Sequence, residues 1–180
     1  MLTARRDQLY FDRMHIFIPI INQYRYYSWS RSDNKSECQT CLQYAMWALA
    51  ATMSVQDRHS AENLYQEARQ GLQDFEQRDL GGEVHVSQVQ VWLLLAIYEL
   101  MRIDFRRGWL SAGRALRLIQ LMRLHETDVP AAMLFERDVI ETEEKRRTFW
   151  IAYSLDRFIS LSNGWPITLA EQMVSLRASI

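Results

Sequence analysis

Apolar residues recur at three- and four-residue steps along most of the chain, the mark of amphipathic helices. Arg5 to Ile20 carries Leu9, Tyr10, Met14, Phe17 and Ile18 in this spacing, and Pro19, which has no N–H, predicts an end or kink there. Asn22 to Glu37 is polar, tyrosine-rich and then serine-rich, and reads as a connecting loop. A helix is predicted from about Thr40 to Val55, with Leu42, Ala45, Met46, Leu49 and Ala50 on one face and Trp47 adding bulk. Its alanines permit close helix–helix approach. Ser60 reads as the N-cap of the next helix, whose stripe is Ala61, Leu64, Tyr65, Ala68, Leu72 and Phe75. Leu80-Gly81-Gly82 breaks that pattern.

Ser87 and Gln90 have the spacing of a capping box ahead of Gln88–Arg102. That segment is apolar on every side except at Gln90 and Glu99, so neighbours must surround it and it is expected at the centre of the core. Arg106 to Leu124 places Ala112, Ala115, Leu116, Ile119 and Met122 on one side, with Arg114, Arg117 and Arg123 away from it. An irregular stretch with Pro130 follows, from Glu126 to about Arg137, and a last long helix is predicted from Thr142 to Ser162, ended by Asn163-Gly164 and Pro166. Glu141 with Lys145 and Glu143 with Arg147 are i,i+4 pairs that support it. No stretch alternates with a period of two. The expectation is an all-α bundle of about six main helices with no sheet, forming one domain over residues 1–180.

Composition sharpens this in two ways. With 48% hydrophobic residues, six tryptophans and only six glycines and three prolines in 180 residues, the chain has much to bury and few turns. The net charge of −1 excludes a generally basic nucleic-acid binder. Nineteen of the twenty-one basic residues are arginine, whose planar fork favours defined ion pairs.

Cys38 and Cys41 form a C-x-x-C pair, but a structural zinc site needs about four ligands, and His15, His59, His85 and His125 are scattered singly. The pair therefore reads as two ordinary thiols of a reducing compartment, and no metal or cofactor is expected. Arg5, Arg6 and Asp7 interrupt the N-terminal stretch, so no signal peptide is expected. The longest apolar run, Val91–Tyr98, falls short of the ~20 residues that cross a bilayer, which predicts a soluble protein without membrane partners.

Two segments carry a family resemblance. Lys145-Arg146-Arg147-Thr148-Phe149-Trp150-Ile151-Ala152-Tyr153-Ser154-Leu155-Asp156-Arg157-Phe158-Ile159-Ser160, followed by Gly164-Trp165-Pro166, resembles a pattern of paired basics, paired aromatics, an Asp-Arg step and a Gly-Arg-Pro turn. Ala112 to His125 is similar to an alanine- and arginine-bearing helix ending in Gly-Leu-His. Tyr10-Phe11 to Pro19 looks like the opening helix of the same region. In this order the segments resemble the fungal-specific transcription factor domain, the middle homology region of zinc-cluster transcription factors. Trp165 and Arg123 depart from the pattern, standing where the family has arginine and glycine. Two cysteines cannot form the family's six-cysteine zinc cluster, and the sequence ends soon after the Gly-x-Pro turn, which reads as a shortened version.

The resemblance implies the regulatory part of a transcription regulator, acting in the nucleus (the cytoplasm being the alternative). It would respond to a small-molecule effector, to proteins of the transcription machinery or to self-association, and would make no DNA contacts of its own. The rival expectation is a helical small-molecule-binding protein or enzyme of a biosynthetic gene cluster.

Candidate chemistry is sparse. Asp156 shares a helix face with Tyr153 and Phe149. A carboxylate there needs a partner, and the expected one is a structural ion pair with Arg114 or Arg117. The sharper alternative makes Asp156 a polar anchor in a cavity lined by Trp92, Trp109, Trp150 and Tyr153, tryptophans otherwise read as core filling. Lys145-Arg146-Arg147 follows Glu141, Glu143 and Glu144 and reads as a solvated helix start, and His125 as a helix C-terminal residue. No nucleophile–base pairing, glycine-rich phosphate loop or metal-ligand spacing is visible, so no catalytic, DNA-binding or metal residue is assigned.

Overall fold

The structure, a computed structural model, describes residues 2–54, 58–79, 81–126 and 139–169. Among these are seven α-helices and no strand: α1 (Leu2–Arg13), α2 (Gln23–Trp29), α3 (Glu37–Thr52), α4 (Arg58–Arg78), α5 (Val86–Arg102), α6 (Phe105–Leu121) and α7 (Val139–Asn163), with a 3-10 turn at Leu124–Glu126. The all-α expectation holds. Most of the irregular stretch expected around Pro130 lies outside the described residues.

α5 is the central helix, as its lack of a polar face demands. Val89 and every residue from Val91 to Ala96 are buried, and the helix packs against α3, α4, α6 and α7. α6 approaches α5 through Gly108, where an added Cβ would lie 2.6 Å from Leu100 Cγ and 3.0 Å from the Leu100 backbone nitrogen. Here the absence of a side chain sets the helix–helix distance.

Several predicted boundaries shift, each for a local reason. The loop expected over Asn22–Glu37 contains α2, which Asn22 caps by accepting the Arg25 N–H at 3.0 Å. Its anchor is the buried Tyr26, whose hydroxyl bonds to Asp7 on α1 and accepts from Gln43 on α3 at 2.9 Å. Trp47 donates to the same Asp7 oxygen at 2.7 Å, so one buried carboxylate ties three helices together. α3 begins three residues before Thr40, because Ser36 and Gln39 form a reciprocal capping box. Ser60, expected as an N-cap, lies inside α4.

The start of α5 is capped two residues ahead of the expected Ser87–Gln90 box, by Gln88 accepting the His85 N–H at 2.7 Å. Gln90 instead turns inward and donates to the Ile20 carbonyl at 2.6 Å. Asp104 caps α6 through the Arg106 N–H, and the helix ends at Leu121 before Arg123 takes a positive φ of 54°. α7 starts at Val139, and Gly164, with φ 68°, reverses the chain after it.

α7 also presents apolar groups outward. Val139, Trp150, Phe158 and Leu161 are exposed, so Trp150 is not core filling. The acid–base pairs of its first turns form as expected, with Lys145 3.4 Å from Glu141 and Arg147 2.7 Å from Glu143. Arg146 also pairs with Glu143, which leaves the basic triplet locally neutralised.

Candidate functional site

A cleft of about 850 Å³ lies between the end of α4, the 81–84 turn, α6 and the chain that returns after α7. α6 forms its apolar wall through Trp109, Leu110, Leu116 and Leu121, with Arg114 and Arg117 on the same wall. Glu76, Asp79 and Glu83 face it from the α4 side, and Asp156, Ile159 and Thr168 close the far end.

Beneath this wall is a buried polar layer. Arg114 stacks on the Trp92 ring, its guanidinium carbon 4.6 Å from the centroid, and the Trp92 indole N–H donates to Glu76 at 2.6 Å. Arg114 reaches Glu76 only at 4.0 Å, the limit of an ion pair. Two turns further along α5, fully buried Glu99 holds Arg69 in a close ion pair and accepts the Tyr65 hydroxyl at 2.6 Å. Arg69 donates onward to Ser111 at 2.9 Å, and Arg107 lies 3.8 Å from Glu99. Burial, and then the hydrogen bond to Glu99, push the Tyr65 hydroxyl pKa far above its ordinary value, so this hydroxyl stays a donor.

Asp156 is buried, as a carboxylate needing a partner should be. Its Oδ2 accepts the backbone N–H groups of Thr168 at 2.9 Å and Leu169 at 2.7 Å. The arginines expected as its ion-pair partners are engaged elsewhere: Arg114 on Trp92 and Glu76, and Arg117 on the Gln120 amide at 2.9 Å. The physical reason is the turn at Gly164, which brings unpaired backbone donors back over the helix. Trp165, in that returning strap, packs on Trp109 with ring centroids 4.7 Å apart.

Of the residues read as possible cavity lining, Trp109 and Asp156 reach the cleft. Trp92 is fully buried one layer below it. Trp150 and Tyr153 lie outside its lining and pack on one another at 5.5 Å, with Arg157 over the Tyr153 ring. Arg69, Glu76 and Glu99 went unassigned in the sequence. Glu99 had one visible signal, a lone acid in an otherwise apolar segment.

Cys38 and Cys41 are free and buried at the start of α3. Burial pushes the Cys38 thiol up to about 12 and Cys41 to about 11, so both are protonated, unreactive thiols at neutral pH. His125 sits in the 3-10 turn, 3.3 Å from Glu126, rather than at the end of α6. Among the described residues no group of three or more His, Cys, Asp or Glu could hold a metal ion, and no helix is long and apolar enough to cross a membrane.

Comparison with known proteins gives these features a context. The chain is 54% identical over 177 residues to the pigment biosynthesis transcriptional activator pigB of Monascus ruber, covering 94% of this chain and 32% of that protein. It is 46% identical over 179 residues to the citrinin biosynthesis transcriptional activator mrl3 of the same species, covering 98% and 35%. It is 49% identical over 178 residues to the ascochitine biosynthesis cluster transcriptional regulator of Didymella fabae, covering 98% and 31%. The chain thus spans about a third of the length of these relatives, which are transcription factors rather than enzymes. No solved structure matches it. The model of the fungal specific transcription factor domain matches residues 8–178, a span that takes in the second half of α1, the Ala112–His125 segment and the Asp156–Pro166 turn; the chain belongs to that family.

Proposed function

We propose that residues 1–180 form one regulatory domain of a nuclear transcription regulator that governs a biosynthetic gene cluster. In this reading an effector enters the α6 cleft and changes how the domain engages the transcription machinery, while DNA contacts come from another segment or a partner. The observation that carries the proposal is the family match over residues 8–178, joined to relatives named as activators and regulators of pigment, citrinin and ascochitine biosynthesis. The cleft supports the sensing step, because it combines an apolar wall with a few fixed polar groups, the usual make-up of a small-molecule site. The charge of −1 supports indirect DNA engagement.

The reading is tested in a fungal host carrying the gene. Replacing Gly113, which lines the cleft, by leucine is expected to alter transcript levels of the neighbouring biosynthetic genes, and deleting the gene to lower them. Unchanged transcripts in the deletion strain would refute the regulatory role. Unchanged transcripts with Gly113→Leu alone would remove the cleft from it. Sequence-specific retardation of a promoter fragment by the purified chain at physiological salt would overturn indirect DNA engagement.

A further inference from the structure

The cleft walls differ in charge, and the difference narrows what the site accepts. On α6, Arg114 and Arg117 stand three residues apart, which puts them on one side of the helix. Neither makes a hydrogen-bonded ion pair among the described residues. Arg114 is half exposed and meets Glu76 only at 4.0 Å, while Arg117 bonds the neutral Gln120 amide. Its place over the Trp92 ring, 4.6 Å from the centroid, restrains the Arg114 guanidinium, so less side-chain freedom is lost when it binds an anion. Beside the two arginines on the same wall, Leu110 is 53% exposed and Trp109, although Trp165 packs against it, is still 43% exposed.

Two acids of the site take their hydrogen bonds from other donors, so neither forms a hydrogen-bonded ion pair with Arg114 or Arg117. Glu76 is engaged by the Trp92 indole and Asp156 by the Thr168 and Leu169 backbone. Asp79 and Glu83 are exposed on the opposite side, where they oppose a second negative charge on whatever occupies the space.

We propose that the α6 cleft binds a flat, apolar monoanion, its acid group on Arg114 and Arg117 and its body over Trp109 and Leu110. The inference rests on the sensing role given above and adds the chemical class of the effector. A carboxylate suits it, because the guanidinium fork matches that geometry. A dianion, such as a phosphate monoester, is disfavoured by Asp79 and Glu83.

Titration calorimetry on the purified 180-residue chain tests this with 2-naphthoate, its uncharged methyl ester and 2-naphthyl phosphate. The acid should bind at least tenfold more tightly than the ester, the worth of one charge-assisted hydrogen bond, and more tightly than the phosphate. Arg114→Gln should remove the acid's advantage and leave the ester's affinity unchanged. Arg117→Gln, a change at an exposed position, provides the same comparison if loss of the Trp92 stack prevents folding. Gly113→Leu should weaken all three probes. A Cβ at Gly113 meets nothing within 4 Å, so the larger side chain fits the fold but occupies the cleft.

Equal affinity of acid and ester, tighter binding of the phosphate, binding indifferent to Gly113→Leu, or no binding of the acid would each overturn the assignment. Equal binding of acid and ester that Gly113→Leu abolishes would do so while leaving the sensing role standing. Failure of the sensing role itself appears in the transcript measurement, whatever the naphthoates do.

Discussion

The Asp156 carboxylate accepts the Leu169 backbone N–H at 2.7 Å, thirteen residues downstream and across the reversal at Gly164. The same oxygen takes the Thr168 N–H, and Ser160 one turn later donates to the Pro166 carbonyl at 3.3 Å. The Asp-Arg step and the Gly-x-Pro turn of the family pattern are therefore one physical unit. The aspartate holds the returning strap on α7, and the strap puts Leu169 in the core and Thr168 in the cleft.

Substituting Asp156 by alanine should accordingly cost about 2 kcal/mol, the range for hydrogen bonds to a charged group whose donors are left unmet. Asp156→Asn, which keeps a carbonyl acceptor, should cost about half as much. Urea unfolding measures the loss, and amide exchange at Thr168 and Leu169 locates it. An unchanged midpoint with intact protection of both amides would rule out the latch.

Glu99 makes a second, larger prediction. Glu99→Leu leaves the mostly buried Arg69 without its carboxylate and should destabilise by about 3–5 kcal/mol. Adding Arg69→Met should recover part of that loss, since the uncompensated charge disappears with the residue. A double variant no more stable than Glu99→Leu would mean that the pair does not act as a unit.

How far the sequence foretold these contacts depends on how local their causes are. α5 was legible because Val91–Ala96 has no polar face, a property of six adjacent residues. α2 was not, because its stabilising contact joins Tyr26 to Asp7, nineteen residues away, and nothing in the tyrosine-rich stretch marks which ring is buried. The site shows the same division. Asp156 could be placed on an apolar face from its spacing, yet its partner is backbone brought back by a turn, not an arginine. Glu99 stood out as an isolated acid, but its pairing with Arg69 exists only once α4 packs on α5. The cleft needs α6, the end of α4 and the strap together, and no periodicity encodes that meeting.

Two glycines of α6 should respond to alanine with opposite signs. At Gly108 the new methyl would press on the Leu100 side chain and backbone, forcing α5 and α6 apart at a cost of about 1–3 kcal/mol. At Gly113 it meets nothing within 4 Å, and replacing a helical glycine should stabilise by about 1 kcal/mol. Thermal melts of the two variants make the comparison directly. A melting temperature raised at Gly108 would contradict the close α5–α6 approach.

The thiols give a pH prediction whose sign follows from burial. In the unfolded chain Cys38 and Cys41 lose their protons near pH 9; in the folded protein they hold them to about 12 and about 11. Below pH 9 both states carry the protons and stability is unaffected. Above it the unfolded state binds fewer, so stability falls as pH climbs, until each thiol's folded value is passed. Near pH 9 the thiols dominate the slope, at about 1.4 kcal/mol per pH unit for two half-ionised groups. Towards pH 10 the buried Tyr10, Tyr26, Tyr65 and Tyr98 hydroxyls, also pushed up by burial, add a fall of the same sign. Urea midpoints should hold from pH 7 to 8.5 and then drop, and a Cys38→Ala, Cys41→Ala variant should drop less. Native protein should also resist iodoacetamide at pH 8 until urea unfolds it. Rapid alkylation of the folded chain would show that the start of α3 is open to solvent.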